Sequence, residues 1–350
     1  SRPTGYLWIK RYEEGGVEAL TDRSAAPQQQ ANQTPPDLLN FIIDTKLSFP
    51  DMGPRKIRDF LHHNYPDISW PSKTTIGNIL TKHHLTIPRK LRKRVATRSA
   101  PFSECKNTND LWCLDFKGWF MTKDEKKCEP FTLMDAHSRY LLSFAPLKQN
   151  TSDEVWKVLQ HAFCRYGLPK YIRSDNGPPF ASRGAGRLSQ LSVKIIKAGV
   201  TPEWIDPGKP AQNGRHERMH LTIKQLGAST GIYTLSEQLG KFKQFIQYYN
   251  DVRPHESLDG LTPSHFYTRS SQEWCGRLKS PEYDSAYKVG RVRSCGKMFW
   301  ENRSIYIGHA LANEPVGIKK NKFNQEEVWY GPIFLGFVKE NNLEYARVSG

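Results

Sequence analysis

The segment LWCLDFKGWF, residues 111–120, carries an acid inside a run that otherwise reads as an apolar strand. Asp115 has no packing role there, and strand preference runs against an acid in such a position. Two more strand-like segments follow, EPFTLMDA (129–136) and RYLLSFAPL (139–147), with connections short enough for antiparallel hairpins. The segment therefore predicts a sheet that begins antiparallel and carries one unusual acid.

Helices and strands alternate downstream of these hairpins. The segment SDEVWKVLQHAFCRYG (152–167) has helical periodicity and ends at a glycine, and KYIRSD (170–175) is a short strand. Residues 186–198 and 211–227 are predicted as further helices, separated by the strand-like TPEWID (201–206). This order predicts an α/β layer fold with a mixed sheet.

Two more acids stand at positions suited to chemistry. Asp175 ends a predicted strand, and ligands commonly bind at the carboxyl ends of strands in open α/β sheets; an ordinary turn would also favour Asp there. Glu217 lies on a predicted helix whose opposite stripe, with Met219 and Ile223, is apolar, so that Glu217 and Lys224 face away from the core. A solvated helix face is the ordinary alternative for Glu217.

Three carboxylates are enough for metal-dependent phosphodiester chemistry. Two divalent ions about 3.5 to 4 Å apart clamp the attacking and leaving oxygens, and the protein supplies carboxylates at fixed positions. Mg²⁺ prefers a few carboxylates together with water and substrate phosphate oxygens. Asp115, Asp175 and Glu217 are thus candidate ligands for such ions.

The N-terminal part of the sequence has the pattern of small helices. Residues 4–14 predict a helix stopped by two glycines, and residues 24–36 form a polar, Pro-rich linker. Residues 37–85 then hold three short helices in the layout of a helix-turn-helix, although an ordinary helical bundle would give the same pattern. The chain begins SRPT, without an initiator Met, and we expect part of its true N-terminus to be missing.

The third of these helices is the candidate recognition helix. Ser72 is a good N-cap, and one predicted buried stripe consists of Ile76, Ile79, Leu80 and His83. The side chains left to contact DNA bases near its N-terminal end are Lys73, Thr74, Thr75 and Asn78. Residues 82–98 follow with seven Lys or Arg and no acid, which favours a linker along phosphates, with Arg92, Lys93 and Arg94 at its centre.

Composition agrees with a nucleic-acid partner and excludes other classes. The chain has 51 Lys and Arg against 35 Asp and Glu, a net charge of +16, which attracts polyanions. The six cysteines form no C-x-x-C pair, so neither a zinc module nor a disulfide framework is predicted. No apolar run is long enough to span a membrane. Short strands over about 288–348 predict a small β-barrel at the C-terminal end.

Five segments together resemble a known family: LDFKGWF, TLMDAHSRY, RSDNGPPF, PGKPAQNGRHERMH and YYNDVRPHESL. They are similar to the catalytic core of DDE transposases and retroviral integrases, particularly bacterial insertion-sequence transposases. The resemblance implies a ribonuclease H-like core and assigns Asp115, Asp175 and Glu217 as catalytic residues and ligands of Mg²⁺ or Mn²⁺, with two ions per active site. It also implies that Asn213 and Gly214 place the glutamate helix, and that residues 249–255 close the core.

The spacing of the acids departs from the family pattern. Asp175 and Glu217 lie 217 − 175 = 42 positions apart, longer than is usual in the wider superfamily. Glu203 and Asp206 are nearer, but they precede the helix that carries the family motif, and residues 181–190 are suited to absorb the extra length as a loop. We therefore keep Glu217 as the third acid.

The resulting prediction is a multidomain chain. Its parts are a partial helix-turn-helix (1–30), a second helix-turn-helix (36–88), a basic linker (89–105), a ribonuclease H-like core (106–268) and a small β-barrel (285–350). We expect a transposase that binds its element ends, cleaves and joins double-stranded DNA as a homodimer or larger oligomer, and acts in the cytoplasm at a bacterial nucleoid. Lys224 is expected to hold the DNA backbone. The alternatives are a non-catalytic DNA-binding regulator derived from a transposase, and a nuclease acting on RNA strands.

Overall fold

The computed structural model of the chain describes residues 2–21, 33–86, 105–205, 214–339 and 342–344. Its internal contacts divide the chain into two compact units, Ser1–Asp44 and Thr45–Gly350. Within the described ranges, no helix is both long enough and apolar enough to cross a membrane.

The first unit is helical. Helix α1 spans Arg2–Gly15, slightly longer than the helix predicted over 4–14, and a 3₁₀ turn follows at Val17–Leu20. Gly16 separates the two with φ of 63°, a left-handed value that a glycine adopts at little cost. Helix α2, Pro36–Ser48, begins in this unit.

The second unit opens with two more short helices, α3 (Pro54–Asn64) and α4 (Lys73–Lys82). Ile57 and Leu61 of α3 and Ile76 and Leu80 of α4 are buried, as amphipathic helices require. The predicted burial of His83 is wrong. Helix α4 ends at Lys82, so His83 is its C-cap, lies outside the buried helical stripe and is exposed. The three predicted helices of this region are all present.

The central sheet has the predicted mixed topology. Four strands joined by antiparallel pairs come first, and two strands parallel to β1 come after them. They are β1 (Leu111–Phe116), β2 (Phe120–Met121), β3 (Lys127–Asp135), β4 (Leu141–Leu147), β5 (Tyr171–Ser174) and β6 (Thr201–Trp204). The order across the sheet is β4-β3-β1-β5-β6, with the short β2 paired to the start of β3. The single strand predicted over 111–120 is wrong: it breaks at Gly118, whose φ of 78° no extended strand allows.

Helices cover both faces of this sheet. They are α5 (Ser152–Tyr166), α6 (Gln190–Lys197), α7 (Gly214–Gln225) and α8 (Leu235–Gln247), followed by a π-helical turn at Tyr248–Val252 and the short α9 (Pro263–Phe266). One buried cluster joins β1 to α5 and α6 and includes Trp112 and Phe163. A second joins β4 to α7 and α8, and in it the rings of Phe144 and Phe242 stack with centroids 3.6 Å apart. The result is a three-layer α/β core.

The C-terminal part is a seven-stranded, nearly closed sheet. Its strands are β7 (Lys288–Arg291), β8 (Lys297–Trp300), β9 (Arg303–Tyr306), β10 (Pro315–Lys320), β11 (Glu326–Tyr330), β12 (Ile333–Lys339) and β13 (Asn342–Glu344). They follow the order β7-β10-β11-β12-β13-β9-β8, and a bridge between Val292 and Met298 brings the two edges together. Glu314 ties this barrel-like sheet to the core, since its carboxylate accepts from Lys197 Nζ at 2.5 Å.

Candidate active site

Three acids on three separate elements meet at one edge of the core sheet. Asp115 lies near the end of β1, and Asp175 directly follows β5, the parallel neighbour of β1. Because parallel neighbours end at the same edge of a sheet, the two carboxyl groups come together there. Glu217 is in the first turn of α7, a helix that lies against β1.

The electrostatics show that these acids interact. Burial and the charges of Asp175 and Glu217 together raise the pKa of Asp115 to about 7, against the lowering effect of the hydrogen bond from the Phe116 N–H at 2.8 Å. Burial also raises the pKa of Asp175, while the Gly177 N–H donates to its carboxylate at 3.2 Å. A partly desolvated concentration of negative charge is what a divalent cation would stabilise.

The residues present fit such a cation by the chemistry of their donors. Three carboxylates are hard oxygen ligands of the kind that Mg²⁺ and Mn²⁺ take. Within the described part of the chain, however, no three His, Cys, Asp or Glu side chains stand close enough together to enclose a metal ion. Asp175 and Glu217 are thus each within electrostatic reach of Asp115, and the three acids form no closed cage.

Two lysines flank the acids. Lys117 and Lys224 line a cleft of about 480 Å³ together with Glu217, Arg218 and His220. Burial and the nearby charge of Lys224 lower the pKa of Lys117, against the opposing effect of Asp115. The stripe predicted for α7 is present: Met219 and Ile223 are fully buried, while Glu217 and Lys224 are exposed. The cleft therefore brings Glu217 together with the cationic side chains Lys117, Arg218 and Lys224.

Sequence reasoning missed a polar contact beneath this surface. The Thr132 hydroxyl lies 2.7 Å from His216 Nε2, 3.0 Å from His220 Nε2 and 3.1 Å from the Asp115 carbonyl oxygen. Burial lowers the pKa of both imidazoles, that of His220 to about 4. Both rings are therefore neutral at pH 7. The only signal in the sequence was the spacing of two histidines one helical turn apart, on either side of Glu217.

Two polar residues from the segments that carry the family resemblance have structural roles. Asp135 is fully buried and accepts from the backbone N–H groups of Asn109 and Ser138 and from the Ser138 hydroxyl, so it holds a turn. Asn250, in the segment expected to close the core, pairs through its amide with the backbone of Leu141 at 2.8 and 3.0 Å.

The predicted DNA-contacting residues divide into three groups. On α4, Lys73, Thr74 and Asn78 are exposed, and Thr75 is half-buried, its backbone N–H donating to the Ser72 cap. Lys224 is exposed beside the acids. The predictions that lie outside the described residues are Arg92, Lys93, Arg94, Asn213 and the alternative acid Asp206.

The extra length between Asp175 and Glu217 includes a loop that contacts the barrel. Residues 181–189 form an irregular segment with one 3₁₀ turn at Ala185–Arg187. Gly186 has φ of 57°, and a Cβ there would stand 2.8 Å from Leu335 and 2.9 Å from Ile333 of β12. The loop thus needs a glycine where it approaches β12. The other near acid, Glu203, accepts from Arg173 at 2.9 Å and lies on β6.

Comparison with known proteins agrees with this architecture. Residues 106–210 and 198–263 match families described as integrase core domain, and residues 4–80 match a homeodomain-like domain. An insertion element IS476 protein of 39.2 kDa from Xanthomonas euvesicatoria is 24% identical over 227 residues, 64% of this chain and 63% of that protein. An insertion element IS407 protein of 31.7 kDa from Burkholderia multivorans is 27% identical over 177 residues, 50% of this chain and 58% of that protein. The chain thus spans about three fifths of the length of these two relatives.

Among solved structures, the HTLV-2 integrase catalytic core domain in complex with magnesium is 19% identical, with a TM-score of 0.37 over 47% of this chain and 100% of that one. The α/β part of the chain, residues 106–263, thus matches integrase core domains, and the helices before it match a homeodomain-like domain. Together with the two insertion-element relatives, these matches support an insertion-sequence transposase with a ribonuclease H-like integrase core.

Proposed function

We propose that this protein cuts and joins DNA with divalent metal ions held by Asp115, Asp175 and Glu217. The observation that carries the proposal is the interaction of three carboxylates that come from three separate elements, in which the second and third raise the pKa of the first. A chance cluster of surface acids would not combine a strand interior, a strand end and a helix face.

The reaction has two steps at one site. Hydrolysis at an element end breaks a P–O bond and leaves a 3′ hydroxyl, which then attacks a phosphodiester of target DNA. Mg²⁺ or Mn²⁺, two ions per site, would activate the attacking oxygen and offset charge on the transferring phosphate. Lys117 and Lys224 hold the DNA backbone beside the acids, because the half-buried Lys117 and the exposed Lys224 line the same cleft as Glu217.

The helices before the core bind the element ends. Lys73, Thr74, Thr75 and Asn78 lie near the N-terminal end of α4, the part of a recognition helix that contacts base edges. The basic segment with Arg92, Lys93 and Arg94 follows the DNA backbone. Joining two ends at once needs two copies of the chain at least, so the working form is a homodimer or larger oligomer, in the cytoplasm at a bacterial nucleoid.

The test uses duplex oligonucleotides that carry the inverted repeats flanking the coding region. In Mg²⁺, the wild-type chain nicks these ends and joins them to a second duplex, and EDTA stops both steps. Asp115→Asn, Asp175→Asn and Glu217→Gln each abolish both steps. Asp153→Asn is the matched control, since Asp153 is an exposed acid at the start of α5 that pairs with Lys194.

Three other outcomes would each change the proposal in a different way. Wild-type joining by any one of the three variants would remove that residue from the metal site. Specific binding of the ends without metal-dependent cleavage would identify a DNA-binding regulator. Cleavage of an RNA–DNA hybrid in preference to duplex DNA would identify a nuclease acting on RNA.

A further inference from the structure

The side chain of Thr132 lies between the strand that carries Asp115 and the helix that carries Glu217. Thr132 is fully buried on β3, and its register partner on β1 is Asp115. Its hydroxyl has three polar neighbours within 3.1 Å: the Asp115 carbonyl oxygen and the Nε2 atoms of His216 and His220. One hydroxyl therefore joins β1, β3 and α7.

Only one assignment of donors and acceptors allows all three hydrogen bonds of the Thr132 hydroxyl to form. A hydroxyl carries one hydrogen and accepts two hydrogen bonds, whereas a carbonyl oxygen only accepts. The Thr132 O–H must therefore donate to the Asp115 carbonyl oxygen. Both imidazoles must then donate their Nε2–H to the Thr132 oxygen, which fixes each ring in the Nε2–H tautomer.

The tautomer determines what each ring presents on its other side. Nδ1 of His216 is buried and has no hydrogen-bond partner among the described atoms, so the Thr132 contact is the polar bond that orients this fully buried ring. Nδ1 of His220 carries a lone pair and stands 4.0 Å from Oδ2 of Asp115, too far for a direct hydrogen bond. His220 thus turns an acceptor toward the acid.

The two histidines lie on either side of Glu217 on α7. Residues 216 and 220 are one helical turn apart, so two bonds to a single oxygen fix both the height and the rotation of this turn relative to β3. Glu217 itself is exposed. The position of Glu217 relative to Asp115 therefore depends on the contacts that His216 and His220 make in the same turn of α7.

We propose that Thr132 is a positioning residue, whose hydroxyl holds His216 and His220 in the Nε2–H form and thereby fixes Glu217 relative to Asp115. The inference rests on the proposed function, because it explains how one of the three acids is held in place. It adds to that function a residue that touches neither the substrate nor the metal ions.

The matched pair of variants is Thr132→Val and Thr132→Ser. Valine keeps the shape of threonine and removes the hydroxyl, whereas serine keeps the hydroxyl and removes the methyl group. The first measurement is the ring ¹⁵N spectrum of histidine-labelled protein without DNA or metal. In the wild type and Thr132→Ser, His216 and His220 give the separate signals of a protonated Nε2 and a bare Nδ1, and in Thr132→Val these signals move toward a mixture of tautomers.

The second measurement is the rate of end joining at saturating DNA. A displacement of the order of 1 Å in a reacting group costs about 100-fold in rate, so Thr132→Val is expected to lose about that factor while its affinity for the ends stays within about twofold. Thr132→Ser is expected to restore the rate to within about fivefold of the wild type. A melting temperature is measured for each variant, and rescue by serine separates the hydroxyl from general packing.

Two results would overturn the proposal: unchanged histidine signals in Thr132→Val, or a serine variant as slow as the valine variant. Failure of the proposed function is distinguishable from both, because a wild-type chain that joins no DNA still reports its histidine tautomers. In that case the histidine tautomers remain the test: a change of tautomer in Thr132→Val but not in Thr132→Ser would support the positioning role, and the absence of this change would reject it.

Discussion

The ion pair between Asp51 and Arg253 gives the sharpest test of how the helix pair α3–α4 is held on the core. Asp51 lies in the turn before α3, and its carboxylate accepts from Arg253 Nε at 3.0 Å and from the Tyr248 hydroxyl at 2.6 Å. The Asp51 side chain is 2% exposed and that of Arg253 is 10% exposed. Water therefore cannot replace either partner.

Asp51→Asn keeps the shape of the side chain and removes its charge. The amide oxygen can still accept from Tyr248, but Arg253 keeps a buried positive charge without its counter-charge. Removing one partner of a buried pair costs about 3 to 5 kcal/mol, so we expect a loss of that size in the free energy of unfolding of the second unit. The measurement is urea denaturation followed by tryptophan fluorescence.

Asp51→Asn/Arg253→Met and Asp67→Asn supply the comparisons. The double variant removes both charges, so it should be more stable than Asp51→Asn alone, with a coupling energy of about 1 to 3 kcal/mol. Asp67 is an exposed acid after the same helix, and its replacement by Asn should cost less than about 0.5 kcal/mol. A loss below about 1 kcal/mol in Asp51→Asn would refute the assignment of this pair as a buried link.

Three further perturbations have calculable outcomes. Burial and the charge of Arg253 lower the pKa of Lys56 from 10.5 to about 7, so the unfolded chain holds a proton that the folded chain lacks between pH 7 and 10.5. Lys56→Met should therefore raise the free energy of unfolding by about 1 to 2 kcal/mol at pH 6, measured by urea titration. This gain should shrink as the pH rises from 7 to 10.5, and a gain that stays constant would contradict the explanation. Phe163→Ala should cost about 3 to 5 kcal/mol, since its ring is fully buried among three tryptophans, and a loss under 2 kcal/mol by the same method would contradict that packing. Ser72→Ala should cost about 1 kcal/mol by removing the cap of α4, seen as a lower melting temperature, whereas Ser72→Asn should cost nothing measurable.

The parts of the fold that sequence could predict depend on local pattern. An acid inside the apolar run of β1 was visible because its neighbours are hydrophobic, and α7 was placed with its apolar stripe correctly because Met219 and Ile223 repeat at helical spacing. Gly118, in contrast, breaks the predicted strand because its φ is positive. A glycine can adopt such a backbone angle, but its presence in the sequence does not predict that it will.

The contacts that sequence could not predict join residues far apart in the chain. Thr132 meets His216 and His220 over 84 and 88 positions, and Asp51 meets Arg253 over 202. Such contacts depend on strand register and on where a helix docks, and a one-residue shift of β3 would turn Thr132 to the opposite face. A buried threonine on a strand has no local signature of a hydrogen-bonding role.

The segment after α8 connects these two sets of contacts. Asn250 binds the backbone of β4 at Leu141, and three residues later Arg253 binds Asp51 at the start of the α3–α4 pair. The charges of Arg253 and Arg218 both lower the pKa of Lys56 on α3, and Arg218 directly follows Glu217. The helix that carries the third acid and the helix pair that precedes the core therefore act on one another through the charges of Arg218, Lys56 and Arg253. A substitution at Asp51 or Arg253 should accordingly alter both DNA binding and joining, whereas Thr132→Val should alter joining alone.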